Sequence, residues 1–455
     1  MADNNMSVST AIAGKKAAYK GRKLRIAIIG CGGICQSHMA AFKNIDNAEV
    51  VAGCDILQER LDLMNEKWGI PKEALFIDGT QKPWLRMFKA MKGKIDAVDV
   101  CTPNGVHAPA VIDACNAGLH AMTEKPMAMT VKECKDMVAA AKKNKVKLSV
   151  GFQRRYQHNS ENLARMRAEG FFGDVMLVKV RACRRRGIPN WGVFGQKDKQ
   201  GGGPLIDIGV HIIESAMAFL GNPKPVYASA GCWTFLGNKP SKVMSMWPGW
   251  DHRTYTVEDF AAGQIRFDNG TIMQIEASFA DHQKEHDCED WWAYGTKAGC
   301  QWSTSEIYTD QNNMMVNMQP VFMPDSGWDY IFTKKLQNWV DGCLKGTPLG
   351  ASGEIGLNVQ KILCGLYDSA KAGHEIASHS DSHPNSGSMP SSEIASSKAT
   401  LNQKIQQNYG VITLAYPNCN TPGDAQVLQN YVLGRMETLG WITPEQRQSA
   451  YNPRG

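Results

Sequence analysis

Apolar residues in the first third of the chain form short, nearly continuous runs that alternate with segments of helical periodicity. Such runs, bounded by glycine or polar residues, are typical of strands buried on both faces of a parallel sheet. The predicted strands are residues 24–30, 50–55, 74–77, 97–102, 120–123 and 147–152. The segments between them repeat apolar residues at helical spacing, most clearly at 131–144. This alternation predicts an α/β domain with a doubly wound parallel sheet.

The pattern changes after about residue 151, where longer runs of alternating or continuous apolar character begin. These runs are residues 175–183, 226–233, 260–280 and 291–302. Within the third run, Asp268, Asn269 and Gly270 separate two strand-like halves, and an Asn-Gly pair favours a tight antiparallel hairpin. Helical patterns flank the runs at about 206–220, 330–345 and 356–371. The second region is therefore predicted to be an α+β domain with a large, mainly antiparallel open sheet.

These patterns divide the chain into five predicted segments. A mobile leader (1–21) precedes the α/β domain (22–150), which is followed by the α+β domain (151–377). A segment rich in Ser, with Pro and His (378–400), is typical of a linker. In the remaining tail (401–455), helical spacing at 425–439 predicts an appended helical element.

Composition limits the class of protein. The chain has 455 residues, of which 43% are apolar, enough to bury more than one core. Its formal charge of +6 is modest, and we expect the Lys and Arg residues between positions 15 and 25 to be solvated. No apolar run approaches the roughly 18 residues of a membrane span. We therefore expect neither a nucleic-acid partner nor a membrane partner.

Cysteine and histidine usage points away from disulfides and metals. The 13 cysteines are odd in number and scattered through predicted elements, which indicates buried thiols and a reducing, cytoplasmic location. Two groups of histidine and cysteine lack the paired spacing of known metal motifs, so no metal is predicted. These groups are His282, His286 and Cys288, and His374, His379 and His383.

A glycine-rich turn directly follows the first predicted strand. Gly30 permits a tight turn, Gly32 lets the backbone approach a ligand, and Gly33 and Ile34 open a helix with free N–H groups. Asp55 ends the second strand, where a carboxylate accepts hydrogen bonds from a ribose diol and repels a 2′-phosphate. The combination is typical of a dinucleotide-binding Rossmann domain and favours NAD over NADP.

Polar residues also follow the fourth and fifth predicted strands. Because ligands bind at the carboxyl edge of such sheets, we expect these residues to border the nicotinamide and its ribose. They are Thr102, Pro103, Asn104, His107, Glu124 and Lys125. Lys125 can also donate a hydrogen bond to a substrate hydroxyl, whereas a lone lysine before proline is more often structural.

Asp207 and His211 are four residues apart in a helical pattern that follows three glycines at 201–203. At this spacing the two side chains share one helix face, and a carboxylate can set the tautomer and basicity of an imidazole. Such a histidine can act as the general base that removes a hydroxyl proton. The alternative is a helix-capping Asp beside a packed His, and without Lys125 this would be the better interpretation.

Together these motifs resemble the Gfo/Idh/MocA family of sugar and polyol dehydrogenases across about residues 22–377. The segments VGFQRRY (150–156), VEDF (257–260) and GTKAG (295–299) extend the resemblance into the second domain. The resemblance implies that Lys125 contacts the hydroxyl to be oxidised, His211 takes its proton, and Asp207 orients the substrate and His211. It also implies hydride transfer to NAD and a homodimer or homotetramer formed through the open sheet.

Substrate contacts are predicted near the start of the second domain. Arg155 and Tyr156 follow the sixth predicted strand, and Trp191 lies in a loop where an indole can stack on a sugar face. Asp259 is a further pocket candidate. The arginines at 184–186 would either favour an acidic sugar or face water.

Three functions fit these residues. The first is NAD-dependent hydride transfer between the nicotinamide and a hydroxyl of a sugar or cyclitol. The second is an NAD-dependent glycosidase that oxidises a hydroxyl transiently, eliminates the glycosidic substituent, adds water and reduces again. The third is a ligand sensor that keeps the fold without catalysis. The presence of Lys125, Asp207 and His211 together favours the first.

Overall fold

The computed structural model describes residues 19–245 and 247–372, and beyond them only the backbone of three short strands. It contains a six-stranded and an eight-stranded sheet, one in each of the two predicted domains. Most of the predicted leader, linker and tail lies outside the described residues.

The first sheet consists of short strands whose residues are mostly buried. Its strands are β1 (Leu24–Ile29), β2 (Ala48–Cys54), β3 (Leu75–Phe76), β4 (Ala97–Val100), β5 (His120–Thr123) and β6 (Leu148–Val150). All pairs are parallel, in the order β3-β2-β1-β4-β5-β6. The helices of this domain are α1 (Gly33–Phe42), α2 (Gln58–Trp68), α3 (Pro83–Ala90), α4 (Asn104–Asn116) and α5 (Val131–Lys143). The predicted doubly wound parallel sheet is confirmed.

The second sheet is larger and mainly antiparallel, as predicted. Its strands are β7 (Val175–Arg184), β8 (Pro225–Trp233), β9 (Phe260–Phe267), β10 (Ile272–Ser278), β11 (Asp287–Gly295), β12 (Ala298–Gln301), β13 (Glu306–Gln311) and β14 (Met314–Met318). Their order is β14-β13-β12-β11-β7-β10-β9-β8, and β7 and β10 form the one parallel pair of this sheet. The predicted Asn-Gly hairpin joins β9 to β10, with Arg266 opposite Ile272.

One face of the second sheet packs on helices and the other face is open. The helices of this region are α6 (His158–Ala168), α7 (Lys197–Gln200), α8 (Val210–Leu220), α9 (Trp328–Lys345) and α10 (Gly353–Ala372). The side chains of Val180 and Ile275 are buried on the helix-covered face. The open face forms a shallow depression of about 550 Å³, lined by residues that include Lys179, Gln274 and Trp292.

The last two helices return the chain to the first domain. Helix α9 packs against α1, and α10 packs against both α5 and β8. Between them, the carbonyl of Ala351 accepts hydrogen bonds from Val150 N (2.9 Å) and Ser149 Oγ (3.0 Å). The sequence pattern placed α9 and α10 in the second domain, whereas in the structure they join the two sheets.

The most apolar helical stretch is Lys197–Leu220, which by length and composition alone could cross a membrane. Most of it (83% of its apolar window) is buried inside the protein, as in a core helix. In the predicted linker and tail, β15 (Ser378–His379), β16 (Thr413–Tyr416) and β17 (Leu433–Met436) pair in parallel. The helix predicted at 425–439 is therefore wrong at β17, because a short apolar pattern does not by itself distinguish helix from strand.

Candidate active site

The carboxyl ends of β1, β4 and β5 carry the polar motifs that the sequence predicted. The strand order of the first sheet reverses between β1 and β4. Open α/β sheets bind ligands in the crevice at such a switch point. Three features therefore lie at the edge where a dinucleotide is expected. They are the glycine-rich turn, Lys125, and the loop from the end of β4 to the start of α4 (101–104), which we call the Thr102 loop.

The glycine-rich turn has the geometry of a phosphate cradle. Gly30 adopts φ +88°, and a Cβ there would lie 2.7 Å from Thr102 Cγ2 and 2.8 Å from Cys101 O. Only glycine fits this position without displacing the backbone of the neighbouring loop. At the start of α1 no side chain caps the helix, and a Cβ at Gly33 would meet nothing within 4 Å. The open space and the uncapped N–H groups suit a pyrophosphate.

Asp55 lies beside this turn, as predicted. Its carboxylate is buried and accepts hydrogen bonds from Cys31 N (2.7 Å) and Leu57 N (3.0 Å), which ties the end of β2 to the glycine-rich turn. The sequence pattern missed one cation here, since the Arg60 guanidinium of α2 lies over Gly32. A positive charge at this position complements a pyrophosphate.

In the Thr102 loop, one side-chain oxygen is free for a ligand, and the other polar side chains form hydrogen bonds within the protein. Thr102 Oγ1 is buried and has no hydrogen-bond partner among the described residues, as expected of a group that a ligand completes. Asn104 instead donates to Gln200 O (2.9 Å), which links the loop to the second domain. His107 is fully buried, with Nδ1 2.8 Å from Pro126 O and Nε2 2.8 Å from Thr102 O. We predicted cofactor contacts for Asn104 and His107, but their side chains brace the loop.

Lys125 connects the two domains. It follows β5, its peptide bond to Pro126 is cis, and its Nζ donates to Asp207 O (2.8 Å) and Asp207 Oδ1 (2.9 Å). Both side chains are only about one-sixth exposed (16% and 15%), so water screens this ion pair weakly. The structure thus brings a lysine of the first domain into contact with the helical segment of the second domain that carries Asp207 and His211.

Asp207 and His211 share one helical segment but do not pair with each other. The turn Leu205–Gly209 is π-helical and leads into α8. Among the described residues, Asp207 Oδ1 is bound by Lys125, and His211 Nδ1 is buried without a partner. No hydrogen bond joins Asp207 to His211 in the described part of the chain, so the orienting role of Asp207 stays a prediction.

His211 is nonetheless held as a neutral base. Burial lowers the pKa of His211 well below its usual value, and the positive charges of Lys125 and Arg154 lower it further. Nδ1 is buried without a partner among the described residues, which leaves Nε2 as the candidate nitrogen for a ligand. A neutral imidazole beside an ammonium group can take a proton from an alcohol bound between them.

Two buried carboxylates of the VEDF segment fix the backbone around this site. Glu258 accepts hydrogen bonds from Gly203 N (2.9 Å), Leu205 N (3.3 Å) and the Tyr367 hydroxyl (2.7 Å), and thereby caps the helical segment that carries Asp207. Burial raises the pKa of Glu258. The Oδ2 atom of Asp259 accepts three backbone N–H groups, from residues 235–237. Oδ2 of Asp259 thus anchors the backbone, while Oδ1 is buried without a partner among the described residues, so its predicted place in a pocket stays a prediction.

The two adjacent arginines after β6 have different partners. Arg155 binds Gly350 O and lies 3.4 Å from Glu214, and the Tyr156 hydroxyl donates to Asn338 Oδ1 (3.0 Å). Both side chains are used inside the fold, so the structure does not bring these two predicted substrate residues to the site. Arg154 instead lies close enough to His211 to lower the pKa of its ring.

Arg154, from the VGFQRRY motif, belongs to a charged cluster at the end of β7 that includes Arg184, one of the arginines predicted either to favour an acidic sugar or to face water. It forms an ion pair with Glu289, whose second oxygen lies 3.9 Å from Arg184 NH2. The Nε atoms of Arg154 and Arg184 are buried and have no partner among the described residues. The guanidinium of Arg184 stacks over the Trp247 ring at 5.0 Å.

Strand pairing places this cluster near His211. Glu289 faces Ala182 across β11 and β7, and Ala182 in turn faces Ala277 on β10. A Cβ added at Gly209 would lie 3.3 Å from the Ala277 methyl. Glu289 and the turn that carries Asp207 are therefore two strand spacings apart, roughly 10 Å.

Trp191 stands at the outer end of the cluster. Its ring packs edge-on against Trp247, with the centroids 4.7 Å apart, and about half of the side chain (49%) is exposed. An exposed indole held by a second ring suits the apolar face of a sugar. The predicted position of Trp191 in a loop beside the site agrees with this arrangement.

Comparison with known protein families gives matches across both domains. A family model described as "Oxidoreductase family, NAD-binding Rossmann fold" matches residues 24–152. A second, described as "GFO/IDH/MocA C-terminal domain", matches residues 161–301. Three features of this chain would hold NAD: Thr102 Oγ1, the open space beside Gly33 and the Arg60 guanidinium. The geometry of the site therefore agrees with the family match.

Similar proteins are named as sugar oxidoreductases. D-glucoside 3-dehydrogenase of Escherichia coli (strain K12) is 33% identical over 79% of this chain and 99% of its own length. Myo-inositol 2-dehydrogenase of Thermotoga maritima is 27% identical over 44% of this chain and 55% of its own length.

Solved structures show the same fold. An aldose-aldose oxidoreductase from Caulobacter crescentus, in complex with glycerol, is 25% identical and matches with a TM-score of 0.64 over 78% of this chain and 99% of its own. Levoglucosan dehydrogenase in complex with NADH is 20% identical and matches with a TM-score of 0.66 over 78% of this chain and 98% of its own.

Proposed function

Because the chain belongs to the Gfo/Idh/MocA family of NAD-binding oxidoreductases, we propose that it transfers hydride between NAD and a hydroxyl group of a sugar or cyclitol. The contact of the Lys125 ammonium with Asp207, beside the neutral ring of His211, carries the proposal. The names of the relatives support a carbohydrate or cyclitol alcohol as the substrate class.

The residues of the site divide the chemistry of alcohol oxidation among them. Lys125 donates a hydrogen bond to the reacting hydroxyl, and Asp207 holds the ammonium in place from the second domain. His211 Nε2 accepts the hydroxyl proton, since the low pKa of the ring keeps it neutral before reaction. When bound, the nicotinamide supplies the hydride acceptor. In the reductive direction the same residues return the proton.

On the substrate side, we assign recognition to Arg154 and Trp191. Arg154 can donate its unpartnered Nε–H to a substrate oxygen, and Trp191 can cover one face of a sugar ring. Asp55 is the expected contact of the adenosine ribose, which favours NAD over NADP.

The assembly and location of the protein are also proposals. The open face of the second sheet supports a homodimer or homotetramer, because a strand face of this size is commonly covered by a second copy. The free and mostly buried cysteines of the described chain support a cytoplasmic location. That the protein binds neither nucleic acid nor a membrane stays a prediction.

Two alternatives receive no support from the comparisons. A redox glycosidase would release an aglycone without net accumulation of NADH, and a sensor would bind sugar without turnover. The similar proteins carry the names of dehydrogenases, which favours net oxidation or reduction.

A panel of aldoses, glucosides and cyclitols, assayed with NAD and with NADP by nicotinamide absorbance, tests the proposal. We expect NADH to accumulate in proportion to the alcohol oxidised. Lys125→Met is expected to lower kcat about 10²- to 10⁴-fold, as for loss of an acid–base group, while the Kd for NAD changes little.

Lys132→Met provides the matched control, because Lys132 is exposed on α5 and pairs only with Asp136 on the same helix. It should leave kcat unchanged. Turnover by Lys125→Met at the wild-type rate would contradict the assigned role, and aglycone release without NADH would select the glycosidase.

A further inference from the structure

Beneath the active site, four charged side chains form a fully buried cluster, which we call the buried quartet: His38, Asp99, Glu124 and Lys335. None of them is more than 4% exposed. His38 Nδ1 lies 2.6 Å from Asp99 Oδ2, and His38 Nε2 lies 2.9 Å from Glu124 Oε1. Lys335 Nζ lies 2.5 Å from Glu124 Oε1 and 3.0 Å from His38 Nε2. His38 therefore contacts all three other members, and the Glu124 carboxylate contacts both cations.

The quartet is electrically neutral when His38 is protonated. His38 Nδ1 faces an Asp99 oxygen, whereas Nε2 faces both a Glu124 oxygen, which accepts when ionised, and the Lys335 ammonium, which can only donate. Burial lowers the pKa of His38, but Asp99 and Glu124 outweigh it and the net pKa is raised. Burial raises the pKa of Glu124, yet Lys335 and His38 hold it well below its usual value. Two cations thus balance two anions.

The same atoms do not form a metal centre. His38, Asp99 and Cys101 lie close enough together to ligate one ion in the described part of the chain. The two nitrogens of His38 are already used, however, and the ammonium of Lys335 stands 3.0 Å from the ring. A cation at this point would have to displace another positive charge.

The quartet connects the parts of the molecule on which catalysis depends. His38 lies on α1, which begins at the glycine-rich turn, and Glu124 directly precedes Lys125. Lys335 comes from α9, beyond residue 301 where the second family match ends. Its ammonium also lies 4.0 Å from the centre of the Phe332 ring. The distant helix α9 thus contributes one charge directly below the site.

The position of Glu124 explains why that charge is needed. Its Oε2 accepts the backbone N–H of Lys125 (3.1 Å), so the carboxylate lies within reach of the flexible side chain of Lys125. A Cβ at Gly151 would lie 2.5 Å from Glu124 Oε1, and this packing leaves the carboxylate little freedom to turn away. Without Lys335, Glu124 would keep only His38 as a counter-charge, and the side chain of the adjacent Lys125 could supply the missing ammonium.

We propose that Lys335 is a positioning residue for the reaction, and that its ammonium keeps Glu124 from drawing Lys125 away from Asp207 and the substrate hydroxyl. The proposal rests on the proposed function for the role of Lys125. A purely structural role does not require charge here, because apolar side chains stabilise a protein interior at least as well as a buried ion pair does.

The test compares Lys335→Met with the double variant Glu124→Gln/Lys335→Met. We expect Lys335→Met to lower kcat about tenfold to a hundredfold, as for a misplaced catalytic group, with a smaller change in the Kd for NAD. The double variant should recover part of this loss, because a neutral amide no longer attracts Lys125. A merely structural role for Lys335 predicts the opposite, since a second buried substitution would add to the damage.

Lys334→Met serves as the control, since Lys334 is the exposed neighbour on the same helix. If Lys335→Met does not fold, Lys335→Gln removes the charge while keeping a polar group for Glu124. Wild-type kcat in the folded single variant, or a double variant less active than the single one, would overturn the proposal.

A second readout does not depend on turnover. Reductive methylation with formaldehyde, followed by peptide mass spectrometry, measures how readily Lys125 reacts. We expect slower labelling of Lys125 in Lys335→Met than in the wild type, and restored labelling in the double variant. An inactive wild-type protein would count against the proposed function, whereas equal labelling of Lys125 in all three proteins would count against the role of Lys335.

Discussion

Glu214 illustrates at the scale of one residue how burial sets charge near the site. It lies three residues after His211 on α8, and Arg155 approaches it to 3.4 Å. Although the charge of Arg155 lowers the pKa of Glu214, burial outweighs it and raises the value to about 7. An ion pair seen in the geometry therefore does not guarantee an ionised carboxylate.

The raised pKa makes the stability of the fold depend on pH at this residue. The folded protein holds the Glu214 proton more tightly than the unfolded chain, whose pKa is near 4.5. This contribution is fully present below about pH 4.5 and is lost as the pH rises through 7. Glu214→Gln should therefore raise the free energy of unfolding at pH 8 by up to roughly 3 kcal/mol. At pH 5 most of this gain should disappear.

Urea denaturation at the two pH values measures this difference. Glu161→Gln, at an exposed position on α6, is the control and should change neither value. A gain that is equal at pH 5 and pH 8 would mean that titration of Glu214 is not its cause.

At the scale of residues, the sequence predicted which residues lie near the site better than it predicted the hydrogen bonds that each of them forms. Lys125, Asp55 and the glycine-rich turn follow from local chain order, because strand ends and turns fix where they lie. Which of Arg154 and Arg155 lies near His211 depends on the short helical turn Arg154–Tyr156, because adjacent residues of a helical turn point in different directions. No periodic pattern encodes that choice.

At the scale of elements, the turn between β1 and α1 separates two requirements for glycine. Gly30 needs its positive φ and the absence of a Cβ, whereas Gly33 faces open space. The first glycine serves the fold, and the second leaves room for a ligand.

Substituting each glycine by alanine separates these roles. Gly30→Ala should destabilise the protein by about 2–4 kcal/mol, from the left-handed backbone and from contact with Cys101 O. Gly33→Ala should keep the wild-type stability to within about 0.5 kcal/mol, since the added methyl meets nothing in the protein. The same methyl should weaken NAD binding, which calorimetric titration measures. Unchanged affinity in Gly33→Ala would show that the cofactor does not use this side of the turn.

The sequence predicted most elements but not the π-helical turn before α8. The hairpin of β9 and β10 follows from a local Asn-Gly signal. The turn Leu205–Gly209 depends instead on distant partners, since Glu258 caps it and Ala277 packs against Gly209. Such contacts arise only when the second sheet is complete.

At the scale of the whole molecule, the open face of the second sheet is the main unpaired surface predicted to bind another copy. Ala262 lies on this face, among the residues that line the depression. A large charged side chain there would disrupt contact between two flat sheet faces.

We expect the wild-type protein to be a dimer or tetramer in light scattering coupled to size-exclusion chromatography, and Ala262→Arg to shift it towards the monomer. Glu66→Arg, on the exposed side of α2, should leave the mass unchanged. A wild-type protein that is monomeric at micromolar concentration would contradict the proposed assembly.

The return of α9 to α1 limits how this enzyme can be recombined with its relatives. The sequence suggests that residues 22–150 could be exchanged as a unit, but the buried Glu124 is balanced by a lysine that lies 211 positions later in the chain. A chimaera that exchanges the nucleotide-binding half alone would separate Glu124 from its own counter-ion. Transfer of the nucleotide-binding domain into a relative therefore also requires the helix at 328–345, which carries Lys335.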